Sequence, residues 1–237
     1  MKAGMKIAVI IYHKNIRTYV DDKIVQECLE SIREQTFDIF DILELDYSDL
    51  EQSANRLIDD SFEQESFYFR KECRNHIEAM NYLLTKAFDE FNYDYVFNVN
   101  IDDVYDTRRV EYQLRKMLCD GYDIVGSNYI IFKSHNQNIV QKQIKILQDS
   151  AYGIDEQSVI KIQSGRKKCI VPLSSICFSK KSWKAIQKID MIPTLESLLM
   201  FKKLFRKNMK VHICKEFLLK YRMHDNQVSA NYRRKMF

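Results

Sequence analysis

Two hydrophobic periodicities alternate along the first half of the chain. Residues 6–12, KIAVIIY, form a continuous apolar and β-branched run, the pattern of a strand covered on both faces. The next stretch, VDDKIVQECLESIREQ, sets Ile24, Cys28, Leu29 and Ile32 at helical spacing. FDILELD (40–46) gives a second strand ending on Asp46, and RKECRNHIEAMNYLLTKAFDEF aligns Ile77, Met80, Leu84 and Phe88 on one face of a long helix. A third strand, YDYVFNVN, a helix carrying Val110, Leu114 and Met117, and a further strand in YDIVGSNYIIF follow. Strands and helices in this order predict an α/β fold, a mostly parallel central sheet flanked by helices.

The second half is less regular. Residues 133 to about 168 are polar and rich in Lys, Gln and Asn, which fits an excursion of loops, a helix or a hairpin. With Tyr129, Phe132, His135 and Tyr152, this region is a candidate recognition surface by elimination, since variable loops on a rigid scaffold carry specificity. A strand and helix resume in VPLSSICFSKKSWKAIQKI. A helix follows in PTLESLLMFKKLFRKN, with Pro193 near its first turn, and KVHICKEFLLKYRMHDNQVS closes the pattern. No internal repeat or Pro/Gly/Ser linker divides the chain, so one domain is expected over residues 1–237.

Composition excludes several classes. An apolar fraction of 46% in 237 residues supplies a sizeable core, so the chain is not disordered. Its 37 basic and 33 acidic residues leave a formal charge of only +4, with the signs interleaved, so no nucleic-acid partner is expected. The six cysteines (Cys28, Cys73, Cys119, Cys169, Cys177 and Cys214) contain no C-x-x-C pair, which points to free buried thiols in a reducing compartment. MKAGMKIAVIIYHK is too brief an apolar run for a signal peptide, and no run approaches the roughly 20 residues that span a bilayer. A cytoplasmic protein, or one at a cytosolic membrane surface, is expected. FKKLFRKNMK and the tail NYRRKMF mix basic and apolar groups, which fits a solvated helix face or contact with an anionic membrane or acceptor.

The chemistry concentrates where the third strand ends. Ligands of open α/β sheets bind beyond the carboxyl ends of parallel strands, and this rule brings Asp46, Asn100, Asp102 and Asp103 to one rim. Adjacent carboxylates repel and lose solvation when partly buried, so a positive partner is expected beside Asp102 and Asp103. Carboxylates at such a position that carry Mg²⁺ or Mn²⁺ share the ion with substrate phosphates. The alternative is a helix start, in which Asp106 or Thr107 caps the following helix and Asp103 sits near its positive end.

Together these segments resemble the family 2 glycosyltransferases. NIDD (100–103) followed by Arg109 and Gln113 is similar to the family's D-x-D-D turn and R-x-x-x-Q helix. VIIYHKN resembles the first-strand ending V-I-I-P-T-Y-N, with Tyr12 where proline is usual and Asn15 at the asparagine. SIREQTFDIFDILELDYSD supplies matches at Ser31, Gln35, Thr36 and Asp46, CRNHIEAM resembles the A-R-N helix start, and YRMHDNQVS resembles Y-R-x-H-x-x-x-x-S. The resemblance implies a GT-A fold, Rossmann-like, with a nucleotide-binding half (1–130) and an acceptor-binding half (131–237). It implies a nucleotide-sugar donor, a UDP-sugar, and transfer with inversion to a glycan, lipid or protein acceptor. Asp46 would bond the nucleobase or ribose, Asn100 would touch the ribose, and Arg74 would lean toward the phosphates. Tyr12 and Asn15 would line the donor site, and Asp102, Asp103 and His224 would hold Mn²⁺ or Mg²⁺.

Two departures qualify that implication. Asn100 replaces the first acidic residue, and PTLESLLMF aligns Glu196 and Ser197 with the family's Glu-Asp pair, so the usual base is missing and Glu196 is the candidate. A degenerate member that binds a nucleotide or sugar without turnover is the alternative. Nucleotidyl transfer fits less well, because IIYHKNIRTY has no glycine for a phosphate loop.

Overall fold

A computed structural model of the chain describes residues 4–16, 20–135, 138–142, 171–192 and 196–224. Tyr152, Cys169, Pro193, most of the polar excursion and the tail NYRRKMF lie outside the described residues.

Four parallel strands build one side of a nine-stranded sheet: β1 (Ile7–His13), β2 (Asp41–Asp46), β3 (Ser66–Arg70) and β4 (Tyr95–Asn100). The rest of the sheet is made by β5 (Val104–Tyr105), β6 (Ile124–His135), β7 (Asn138–Lys142), β8 (Cys177–Ser179) and β9 (Val211–Met223). Across the sheet the order is β3-β2-β1-β4-β8-β6-β9-β5, with β7 paired to β6. β8 runs antiparallel between β4 and β6, β6 and β9 are parallel, and β5 and β7 are antiparallel to their neighbours. The fold is the expected α/β class, a mostly parallel sheet flanked by helices. The hairpin among the alternatives for the polar excursion is present at its start, as β6 and β7.

Alternation along the strands sends side chains to two apolar layers. Ala8, Ile10 and Tyr12 of β1 join α2 (His76–Thr85), α4 (Lys180–Ile186) and α5 (Glu196–Arg206) through residues such as Met80, Trp183 and Phe201. Ile7, Val9 and Ile11 face α1 (Asp22–Arg33) and α3 (Arg109–Cys119) through Cys28, Leu29, Val110 and Leu114. α1 is capped by Asp21, whose side chain accepts from the Lys23 amide, and α2 by Asn75, which accepts from Glu78. In α5, Phe201 and Leu204 are buried while Lys203 pairs with Asp190 at 2.8 Å, the arrangement of a solvated helix face. Among the described cysteines all are free thiols, and Cys119 alone of these is exposed. No described helix is long and apolar enough to cross a membrane.

Parallel pairing fixes the site's position. It places Asp46 beside His13 and Arg70, and Asn100 beside Tyr12, on the single rim formed by the carboxyl ends of these strands.

Candidate active site

The two aspartates beyond β4 face opposite ways. Asp102 is partly exposed, and its Oδ2 lies 3.1 Å from Nε2 of His224, so the first half and the far end of the described chain meet here. Asp103 is fully buried. Its Oδ2 accepts the Ser174 hydroxyl at 2.8 Å and its Oδ1 accepts the Arg222 backbone N–H at 3.0 Å. Burial, and then the charge of Asp102, push the Asp103 carboxyl well above the usual carboxylate range. Both oxygens of Asp103, which the resemblance places among the metal ligands, accept hydrogen bonds from within the protein.

The positive partner anticipated for the turn is Arg222, almost fully buried on β9. Its Nε donates to the Asp102 carbonyl at 2.9 Å, and its guanidinium pairs with Glu27 of α1 and lies 4.4 Å over the Phe132 ring. Phe132, read from the sequence as part of a recognition surface, is a core residue beneath this arginine. The Y-R-x-H match pointed at Arg222, but nothing in the sequence pointed at Glu27 or Ser174.

On the neighbouring strands the polar groups divide into committed and uncommitted ones. Asp46 is fully buried; its oxygens accept from the Ser48 amide at 2.9 Å, the Asn55 amide at 3.1 Å and the Tyr68 hydroxyl at 3.3 Å. Burial works to raise its pKa, but the hydrogen bonds from Ser48 and Asn55 outweigh it and hold the carboxyl below its ordinary value. Glu44 is likewise spent: it lies 3.0 Å from His13 Nε2 and accepts the amides of Leu57 and Ile58. Tyr12 donates its hydroxyl to Asn100 Oδ1 at 3.1 Å. By contrast Asn15 Oδ1 and both amide atoms of Asn98 are buried without a hydrogen-bond partner among the described residues. Buried polar atoms are almost always satisfied, so the Asn15 orphan at the strand-end rim suits a ligand, whereas Asn98 lies inside β4 opposite Ile10. Asn15 also holds φ at 48°, with its amide donating to Ser48 Oγ at 2.8 Å. That bond ties the end of β1 to the loop that Asp46 organises.

Other matches to the family pattern have architectural explanations. Ser31 Oγ donates to the Cys28 carbonyl and accepts the Tyr105 amide, while Gln35 donates to the Asp106 carbonyl and accepts the Val110 amide. Thr36 N donates to the Thr107 carbonyl at 2.8 Å. Together they lash α1 to the start of α3. Arg109 is buried over the Tyr105 ring at 4.5 Å, donating to Gln113 Oε1 and the Asn98 carbonyl. Gln113 in turn donates to the carbonyls of Val125 and Ser175. Neither Asp106 nor Thr107 caps α3 in the way the helix-start alternative had it: Arg108 stands at the N-cap with no side-chain cap bond, and Asp106 accepts the Arg108 amide at 3.0 Å in the turn just before it.

The remaining candidates lie on other elements. Arg74 is 89% exposed and pairs with Glu78 at 3.1 Å. Glu196 is the first residue of α5 and is half-buried. Among the described residues no group of three His, Cys, Asp or Glu is placed to hold a metal. Asp102 and His224 provide one oxygen and one nitrogen donor side by side at partial exposure. Such a pair fits Mn²⁺ or Mg²⁺ as a half-built site completed by phosphate oxygens and water.

A family model described as glycosyl transferase family 2 matches residues 9–207. No curated protein gives a significant match. Crystal structures of S. aureus TarS share the fold. The TarS 1–349 complex with UDP-GlcNAc has a TM-score of 0.66 at 12% identity, over 95% of this chain and 61% of that one. The complex with UDP has a TM-score of 0.59 at 13% identity, over 93% and 61%. The chain thus spans about three fifths of TarS 1–349, and at this identity the likeness speaks to the fold alone.

Proposed function

Because the chain belongs to glycosyl transferase family 2, we propose that this glycosyltransferase moves a sugar from a UDP-sugar to an acceptor hydroxyl, with inversion and with Mn²⁺ or Mg²⁺ bound. The observation that carries the donor site is the pairing of Asp102 with His224 at the rim of the parallel strands. The S. aureus TarS structures with UDP-GlcNAc and UDP support a uridine donor by likeness of fold.

Asp102 and His224 would hold the cation where the donor diphosphate binds. When bound, the ion supplies Lewis-acid stabilisation of the negative charge that builds on the departing nucleoside diphosphate. The base and ribose lie along the ends of β1 and β4, where Asn15 Oδ1 offers an unsatisfied atom. Tyr12 orients Asn100 toward the ribose, and Asp46 acts through the loop it braces. Arg74, exposed beside the start of α2, is free to swing from Glu78 toward phosphate. Glu196 takes the acceptor's proton as the hydroxyl attacks, in the role that the aligned Ser197, having no carboxylate, is too weak a base to perform. The acceptor is a glycan, lipid or protein, and the site of action is cytoplasmic or at the inner membrane surface.

A panel of UDP-sugars incubated with the protein, Mn²⁺ and candidate acceptors tests this. Sugar transfer that disappears in Asp102→Asn is expected. Ser197 favours one competing reading, a donor-binding member without turnover; UDP-sugar binding with neither transfer nor hydrolysis would establish that reading instead.

A further inference from the structure

Several hydrogen bonds pin the acidic turn to the end of β9. β5 and β9 pair with Val104 opposite Lys220 and Tyr105 opposite Leu219. Carried two residues further, that register sets Asp102 opposite Arg222. The Arg222 backbone N–H donates to Asp103 Oδ1 and its Nε donates to the Asp102 carbonyl, so one residue grips two consecutive residues of the turn. From the other side the Ser174 hydroxyl holds Asp103 Oδ2. In extended backbone, residues two apart share a face, so this grip also sets where His224 stands.

We infer that Asp103, with Ser174 and the Arg222 amide, is a buried positioning clamp that brings Asp102 and His224 to one cation site, and that Asp103 is not itself a ligand. The inference rests on the proposed donor-site reading and assigns its second carboxylate a different task. Four observations support it: Asp103 is fully buried, both its oxygens accept protein hydrogens, its neighbour Asp102 is the partly exposed one, and no three-ligand cluster occurs among the described residues. What the clamp requires of Asp103 is an acceptor for the Arg222 amide and a partner for the Ser174 hydroxyl. An asparagine meets both needs: its carbonyl oxygen accepts from the amide, and its NH₂ donates to the serine oxygen. A metal ligand at the same place would need the carboxylate charge.

Mn²⁺ binding to the full chain in the presence of UDP, followed by the loss of the free-ion electron paramagnetic resonance signal, separates these roles without reference to turnover. Asp102→Asn is expected to weaken Mn²⁺ by tenfold or more, and Asp103→Asn to stay within about threefold of the unaltered chain. Asp103→Ala removes both clamp bonds and is expected to weaken Mn²⁺ by roughly 10- to 100-fold, the range for residues that orient ligands. Ser174→Ala is a milder cut, expected at about threefold to tenfold, which keeps the test intact if Asp103→Ala does not fold. Loss of Mn²⁺ in Asp103→Asn equal to that in Asp102→Asn would overturn the inference, as would full binding in both Asp103→Ala and Ser174→Ala. Absence of Mn²⁺ binding in the unaltered chain would instead remove the donor-site reading beneath it.

Discussion

Gln113 offers a demanding test of how the turn is supported. Its side chain is fully buried, donates to the carbonyls of Val125 at 3.0 Å and Ser175 at 2.8 Å, and accepts from Arg109 Nε at 3.1 Å. Gln113→Leu keeps the volume nearly constant, so the cavity contribution is small and the loss is polar. Three buried groups are left without a partner. Each such group costs about 1–3 kcal/mol, and partial relaxation brings the expected total to about 3–5 kcal/mol. That is a large share of a domain's roughly 5–15 kcal/mol, and at about 2–4 °C per kcal/mol it lowers Tm by about 10 °C. The readout is built in, because Trp183 is the sole tryptophan and is buried against Phe88 at 6.2 Å. Urea titration followed by its fluorescence gives the free-energy difference. Arg115→Gln on the exposed side of the same helix is the control, expected within about 0.5 kcal/mol of the unaltered chain. A Gln113→Leu loss below about 1 kcal/mol would refute the claim that this hydrogen-bond hub holds α3, β6 and the Leu173–Ser175 turn together.

Other consequences are as specific. Asp46→Asn presents an amide to the donors Ser48 N and Asn55 N, and is expected to cost about 1–3 kcal/mol in urea unfolding while weakening UDP in calorimetry; weaker UDP with unchanged stability would mean that Asp46 touches the base directly. Glu44→Leu leaves His13 and two amides without their acceptor, and a loss of about 3–5 kcal/mol is expected in the same titration. Glu196→Gln is expected to lower kcat by about 10²-fold or more with donor KM unchanged, and a kcat within twofold would move the base elsewhere. His212 stacks on Tyr122 at 4.6 Å, and burial, then the charge of Lys116, holds its pKa below 6.5. The unfolded chain therefore takes up this proton first, so the contribution of neutral His212 is complete above about pH 6.5 and is lost as pH falls through the folded value. Thermal scans between pH 7.5 and 5.5 are expected to show a shallower fall in Tm for His212→Phe than for the unaltered chain; an equal slope would count against it.

Strands that are covered on both faces announced themselves. β1 is a continuous apolar run, and β2 and β4 are apolar apart from Glu44, Asn98 and their end residues, because α1 and α3 cover one side and α2, α4 and α5 the other. β3 was not read, since Ser66–Arg70 is a five-residue edge strand whose residues are all half-buried, so neither alternation nor a full apolar run marks it. α2 starts at His76 rather than at the head of its periodic stretch, because Asn75 caps it and Cys73 is buried ahead of it. At the site, the strand-end rule located the acidic turn. Which of two adjacent aspartates turns inward could not be read locally: it depends on an amide 119 residues later. Asp46 illustrates the same limit, since the amides that engage it belong to a loop without periodicity.

In the proposed donor site, Asp102 and His224 bind a cation that in turn holds a uridine diphosphate group. Titration calorimetry of UDP into the full chain, with and without Mn²⁺, addresses it most directly. UDP binding that depends on Mn²⁺ and disappears in Asp102→Asn is the predicted result. UDP binding of equal strength without the ion, or undiminished in Asp102→Asn, would contradict the account.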